Sequence, residues 1–133
     1  MRTLCTKGLA ICLLTAWTTC CSQIDRADPE YLALIETYQI NRAEAQFRSV
    51  KKRYGTLQEL GRRGANLISR DLGDGADRSY IFSVPAGDTT YTLRARSKRW
   101  EQHARRCFYS DQTRIVRQNR TNSEANAESE QVY

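Results

Sequence analysis

The sequence holds one histidine, His103, and only one cysteine, Cys107, outside its first 22 residues. With no histidine pair and no second cysteine cluster, nothing in it has the ligand spacing of a zinc site. A catalytic histidine needs a nucleophile and an orienting acid within reach. No residue pattern supplies both around His103, although an extended 102–106 segment puts it on one face with Cys107. Long apolar runs are also missing. The longest, from Leu9 to Cys21, falls short of the roughly 20 residues a membrane-spanning helix requires. The last stretch, 119–133, has almost no large apolar side chains and by composition is expected to be a disordered polar tail. No catalytic residue, metal site or cofactor is assigned, and an enzyme is not expected.

What is present begins with an export segment. Arg2 and Lys7 precede the apolar run Leu9-Ala10-Ile11-Cys12-Leu13-Leu14, and the small residues Thr18-Thr19-Cys20-Cys21-Ser22 follow. The chain therefore divides into an export segment (1–22), a folded body (23–118) and a tail (119–133). Two readings of the junction lead. Cleavage beside Ser22 releases a soluble product and leaves Cys107 unpaired. Lipidation of Cys20 or Cys21 tethers the body to a membrane, and where Cys20 carries the lipid, Cys21 is free to pair with Cys107. Either way the expected location is outside the cytoplasm: periplasmic, membrane-tethered or at the cell surface.

The body opens with Asp28-Pro29-Glu30, an N-cap, a first-turn proline and an acid facing the positive end of a helix dipole. Tyr31, Leu34, Ile35, Tyr38, Ala43, Phe47, Val50 and Tyr54 recur at steps of three and four, predicting one helix of about 25 residues ended by Gly55. Thr56-Leu57-Gln58-Glu59 is a capping-box pattern for a short second helix. Asp71 to Asp77 reads as a loop whose acids lack calcium-loop spacing. Tyr80-Phe82-Val84 and Tyr91-Leu93-Ala95 alternate on either side of Pro85-Ala86-Gly87-Asp88 and predict a β-hairpin. Cys107-Phe108-Tyr109 and Ile115-Val116 predict a second one. The fold class expected from this order is α+β, a long N-terminal helix packed on a small antiparallel sheet of about four strands.

Ala43-Glu44-Ala45-Gln46-Phe47, Tyr54-Gly55-Thr56-Leu57, Tyr80-Ile81-Phe82, Tyr91-Thr92-Leu93-Arg94-Ala95 and Arg106-Cys107-Phe108-Tyr109-Ser110-Asp111-Gln112-Thr113 together resemble the globular head of type IV pilins and pseudopilins. The resemblance spans about 31–117 and implies a pilin-like fold with pilus, secretion or other envelope proteins as partners. The sequence departs from the family pattern in having Leu13 rather than Glu at the fifth position after Gly8, and Arg114 where the last turn usually has glycine.

The formal charge is +6, from 21 Lys+Arg against 15 Asp+Glu. Its densest cluster is Arg94, Arg96, Lys98, Arg99, Trp100, Arg105 and Arg106, which suits an anionic polymer such as nucleic acid or polysaccharide, or lipid headgroups. The alternative is a sheet edge protected by charge. Two functions result: a non-catalytic cell-envelope protein with a pilin-like structural or interaction role, or an extracytoplasmic binding module using the 94–106 cluster.

Overall fold

The computed structural model describes residues 28–61, 63–77, 79–99, 105–121 and 123–133. The export segment with Cys20 and Cys21, and also Trp100 and His103, lie outside the described residues. In chain order the elements are α1 (Pro29–Lys51), α2 (Leu57–Leu60), α3 (Arg70–Gly73), β1 (Ala76–Asp77), β2 (Tyr80–Ser83), β3 (Thr92–Ser97), β4 (Cys107–Asp111), β5 (Arg117–Asn119) and β6 (Glu130–Gln131). The strands form one antiparallel sheet in sequential order, β1-β2-β3-β4-β5-β6.

This corrects the expected fold class. The expectation was a long N-terminal helix on a small sheet of about four strands, with a disordered tail behind it. Among the described residues the chain instead builds a six-stranded sheet, against a 23-residue helix, Pro29–Lys51. The tail is part of that sheet. Gln118 pairs with Glu130 and Arg117 with Gln131, so the proposed boundary at 118/119 falls inside β5. Composition misled here because the segment gains order from edge pairing and local turns rather than from its own apolar surface. Asn119 Oδ1 accepts from Thr121 N at 2.9 Å, and Asn126 Oδ1 from Glu128 N at 3.0 Å. Ala125 is buried, and Val132 packs against the core.

Local signals explain most of the element starts. Asp28 Oδ1 accepts from Glu30 N at 3.0 Å with Pro29 in the first turn, and Thr56 with Glu59 closes a complete capping box on α2. Lys52 ends α1 in the left-handed region at φ 62°, three residues before the expected glycine stop. Gly55 serves a different purpose. A Cβ there would lie 3.0 Å from the Phe47 ring, and its N–H donates at 3.0 Å to Glu44 Oε2. The Asp71–Asp77 stretch is not a single loop: Ser69 caps the one-turn α3, and β1 follows.

The face that α1 buries also differs from the apolar stripe in the sequence. Ala33, Thr37, Ile40, Asn41, Ala43, Glu44 and Phe47 are buried, whereas Tyr31, Tyr38 and Val50 are 57%, 45% and 72% exposed. The helix lies across β3 and β4. Against it stand Tyr80, Phe82, Leu93, Ala95 and Phe108 from the inner face of the sheet. Polar groups set the rotation. Asn41 Nδ2 donates to Ser110 Oγ at 2.8 Å, and Tyr91 OH donates to Asn41 Oδ1 at 2.7 Å. Thr37 is tolerated on this face because its hydroxyl donates to Ala33 O at 2.8 Å.

Two truncations on the same helix distinguish the two faces. Ile40→Ala should cost about 2–5 kcal/mol in chemical denaturation, the range for emptying a buried aliphatic site. Tyr38→Ala should stay within about 0.5 kcal/mol, as exposed substitutions do. The reverse order would restore the stripe read from the sequence.

Candidate functional site

With α1 on one face, the opposite face of the sheet carries the alternate residues of each strand. The register aligns Ser83, Arg94, Tyr109, Arg117 and Gln131 in one row across β2 to β6. Side chains in such a row stand about 4.5–5.5 Å apart at Cβ. Tyr109 therefore stands between Arg94 and Arg117 in the row. The neighbouring row runs from Ala76 through Ile81 to Arg96. Arg94 is exposed, Tyr109 and Arg117 are half-buried, and Arg117 Nη1 donates to Ser129 O at 2.9 Å. Burial pushes the Tyr109 phenol up, with Asp111 adding to the effect and Arg94 opposing it. Tyr109 therefore stays a neutral ring and hydrogen-bond donor.

At the end of β3 and the approach to β4, Ser79, Ser97, Lys98, Arg99 and Arg105 line a cleft of about 430 Å³. Its walls are three cations and two hydroxyls. Backbone bonds hold the rim, Lys98 N donating to Ser79 O at 2.8 Å and Arg99 N to Ser97 Oγ at 3.2 Å.

The basic cluster of the sequence thus divides by environment. Lys98, Arg99 and Arg105 share the cleft, and Arg94 stands in the open row. Arg96 faces Glu124 of the tail segment at 3.8 Å. Arg106 belongs to the fold: its Nε donates to Glu30 Oε2 at 2.7 Å, its Nη1 to Gln118 Oε1 at 3.3 Å, and its carbonyl accepts from Tyr80 OH at 2.7 Å. Tyr109 and Arg117 join the site although the cluster in the sequence omits them. They are 15 and 23 residues from Arg94, and only the pairing register brings them beside it.

Comparison of the chain with family models, curated proteins and solved structures gave no match. The pilin resemblance therefore rests on the quoted residues alone.

Burial raises the Cys107 thiol, the opposite of the depressed pKa that a nucleophilic thiolate needs. Among the described residues, no three His, Cys, Asp or Glu side chains are grouped to hold a metal ion. Nor, among them, is any helix long and apolar enough to cross a membrane.

Two carboxyls are instead perturbed inside the fold. Burial raises Glu44 to about 7 despite the bond from Gly55 N, and raises Glu36 to about 7 with help from the nearby charge of Asp77. Each has one buried oxygen without a hydrogen-bond partner. Glu59 is shifted the other way, held near 2 by Arg53 and by the Thr56 N–H.

A folded pKa above the ordinary 4.5 means that the native state binds the extra proton between 4.5 and about 7. Stability should therefore fall as pH rises through that window. Below it the sign reverses, as protonation of Glu59 removes its stabilisation. Melting temperature should peak near pH 4.5–5, and Glu44→Gln should flatten the decline toward pH 8. A decline as steep in Glu44→Gln as in the parent would contradict this assignment.

Proposed function

We propose that the protein is an exported, non-catalytic binding module whose open sheet face takes a flexible anionic polymer. The observation that carries this reading is the row Arg94–Tyr109–Arg117, an aromatic ring between two cations on the face that α1 leaves uncovered. Guanidinium groups pair with phosphate, sulfate or carboxylate through a planar fork of donors, and a tyrosine face stacks on a base or sugar ring. The Lys98–Arg99–Arg105 cleft extends the positive surface beyond the strand ends. A polymer bearing rings suits this face better than a lipid surface. Ile81 is its one large exposed aliphatic side chain among the described residues, too little to anchor in a bilayer.

A protein-contact role in the cell envelope is the second reading. Tyr31, Tyr38 and Val50 favour it, since they leave aromatic and aliphatic surface on the outer side of α1.

Affinity for a sulfated polysaccharide and for single-stranded DNA, measured across salt concentrations, tests the first reading. Four or five neutralised charges give a slope of log K against log salt of about −3, at roughly −0.7 per contact. Arg94→Ala and Arg117→Ala should each weaken binding several-fold and make the slope shallower by about 0.7. Salt-independent binding, or affinity unchanged in both variants, would contradict the proposal.

A further inference from the structure

A second cationic cavity lies at the other end of β4, away from the hairpin cleft. It has a volume of about 530 Å³ and is lined by Ala45, Arg48, Ser49 and Lys52 of the α1 end, by Tyr54 and Tyr91, and by Gln112 and Arg114 of the turn after β4. Three cations and several neutral hydrogen-bonding side chains form the wall, and no carboxylate is among them. The size lies within the range of small-molecule sites.

The cavity is organised before any ligand arrives. Arg48 Nη1 donates to Tyr54 OH at 2.5 Å, and its guanidinium carbon lies 4.8 Å from the Tyr54 ring centroid. Tyr54 packs on Tyr91, with centroids 4.8 Å apart, and Tyr91 OH is held by Asn41. Lys52 Nζ donates to Ser49 O at 2.9 Å, which leaves its remaining hydrogens for a ligand.

Lys52 and Arg114 both have φ 62°, a left-handed backbone where glycine would be unstrained. Only one other described non-glycine residue, Asn66, has positive φ. Two long cations with left-handed backbone, one at the end of α1 and one in the turn after β4, thus line one cavity. Lys52 takes this conformation as the cap that ends α1, and Arg114 takes it in the turn that its N–H closes on Asp111 O at 2.8 Å.

We propose that this cavity binds a small phosphate ester, a dianion carried on a polar body no larger than a nucleotide. Arg48 and Arg114 would grip the phosphate oxygens, Lys52 would add a point charge, and Ser49 and Gln112 would contact the polar body. The site is separate from the polymer face and does not depend on it.

The test is isothermal titration of the full chain with inorganic phosphate and with glucose 6-phosphate, using glucose as the uncharged control. Saturable binding is expected for both anions and none for glucose, with the ester binding more tightly. Arg114→Gly removes a ligand-binding cation and relieves the backbone, so it should weaken binding at least tenfold while the melting temperature holds or rises. Lys52→Gly should behave in the same direction. Arg120→Ala, at an exposed cation outside both surfaces, should leave phosphate binding unchanged, which separates this site from a general effect of positive charge. No saturable binding, or binding unchanged in both glycine variants, would overturn the proposal. Binding lost only together with a lowered melting temperature would also overturn it, since a merely structural role for the two cations predicts that result.

Discussion

Asn41 is where the helix and the sheet are locked together. Its amide donates to Ser110 on β4 and accepts from Tyr91 ahead of β3, so both ends of one buried side chain are satisfied by the sheet side. Any other rotation of α1 would leave the Asn41 amide and the Tyr91 hydroxyl unpaired in the interior, whereas the Ser110 hydroxyl keeps its bond to Ile115 O. Each such loss costs about 1–3 kcal/mol. The bond from Gly55 N to Glu44, one turn further on, fixes the chain as it leaves the helix. Together these contacts explain why polar Thr37, Asn41 and Glu44 are buried while Tyr31 and Tyr38 face outward.

The same lock decides which face of the sheet remains available. With Phe82, Leu93, Ala95 and Phe108 committed to the helix side, the strand alternation turns Arg94, Tyr109 and Arg117 to the opposite side. A one-residue slip in β4 would exchange Tyr109 for Phe108 or Ser110 and dismantle the row. The ion pair of Arg106 with Glu30 and its bond to Gln118 guard against that slip by tying the start of β4 to α1 and β5. The surface assigned to the polymer is thus a consequence of how the core is registered.

Much of the local structure was legible in the residues. Asp28-Pro29, the Thr56–Glu59 box and the alternation from Tyr80 to Ala95 are short-range signals, each resting on neighbours within a few positions. What was not legible depends on distant partners. The rotation of α1 follows polar bonds to residues 50 and 69 positions away, which a count of apolar residues misses. The tail looked disordered because its order comes from pairing with β5. The basic cluster looked uniform because the partner that withdraws Arg106 lies 76 residues upstream. Tyr109 and Arg117 entered the site for the same reason, since a pairing register is a long-range property.

The most direct measurement follows the arginine side-chain Nε–H signals by NMR while a sulfated polysaccharide is added to the full chain. Arg106 serves as the internal reference, because its Nε–H is already bonded to Glu30. The account predicts that Arg94 and Arg117 shift together and saturate while Arg106 stays in place. If Arg94 and Arg117 stay unmoved while signals elsewhere respond, the uncovered face of the sheet is not the binding surface.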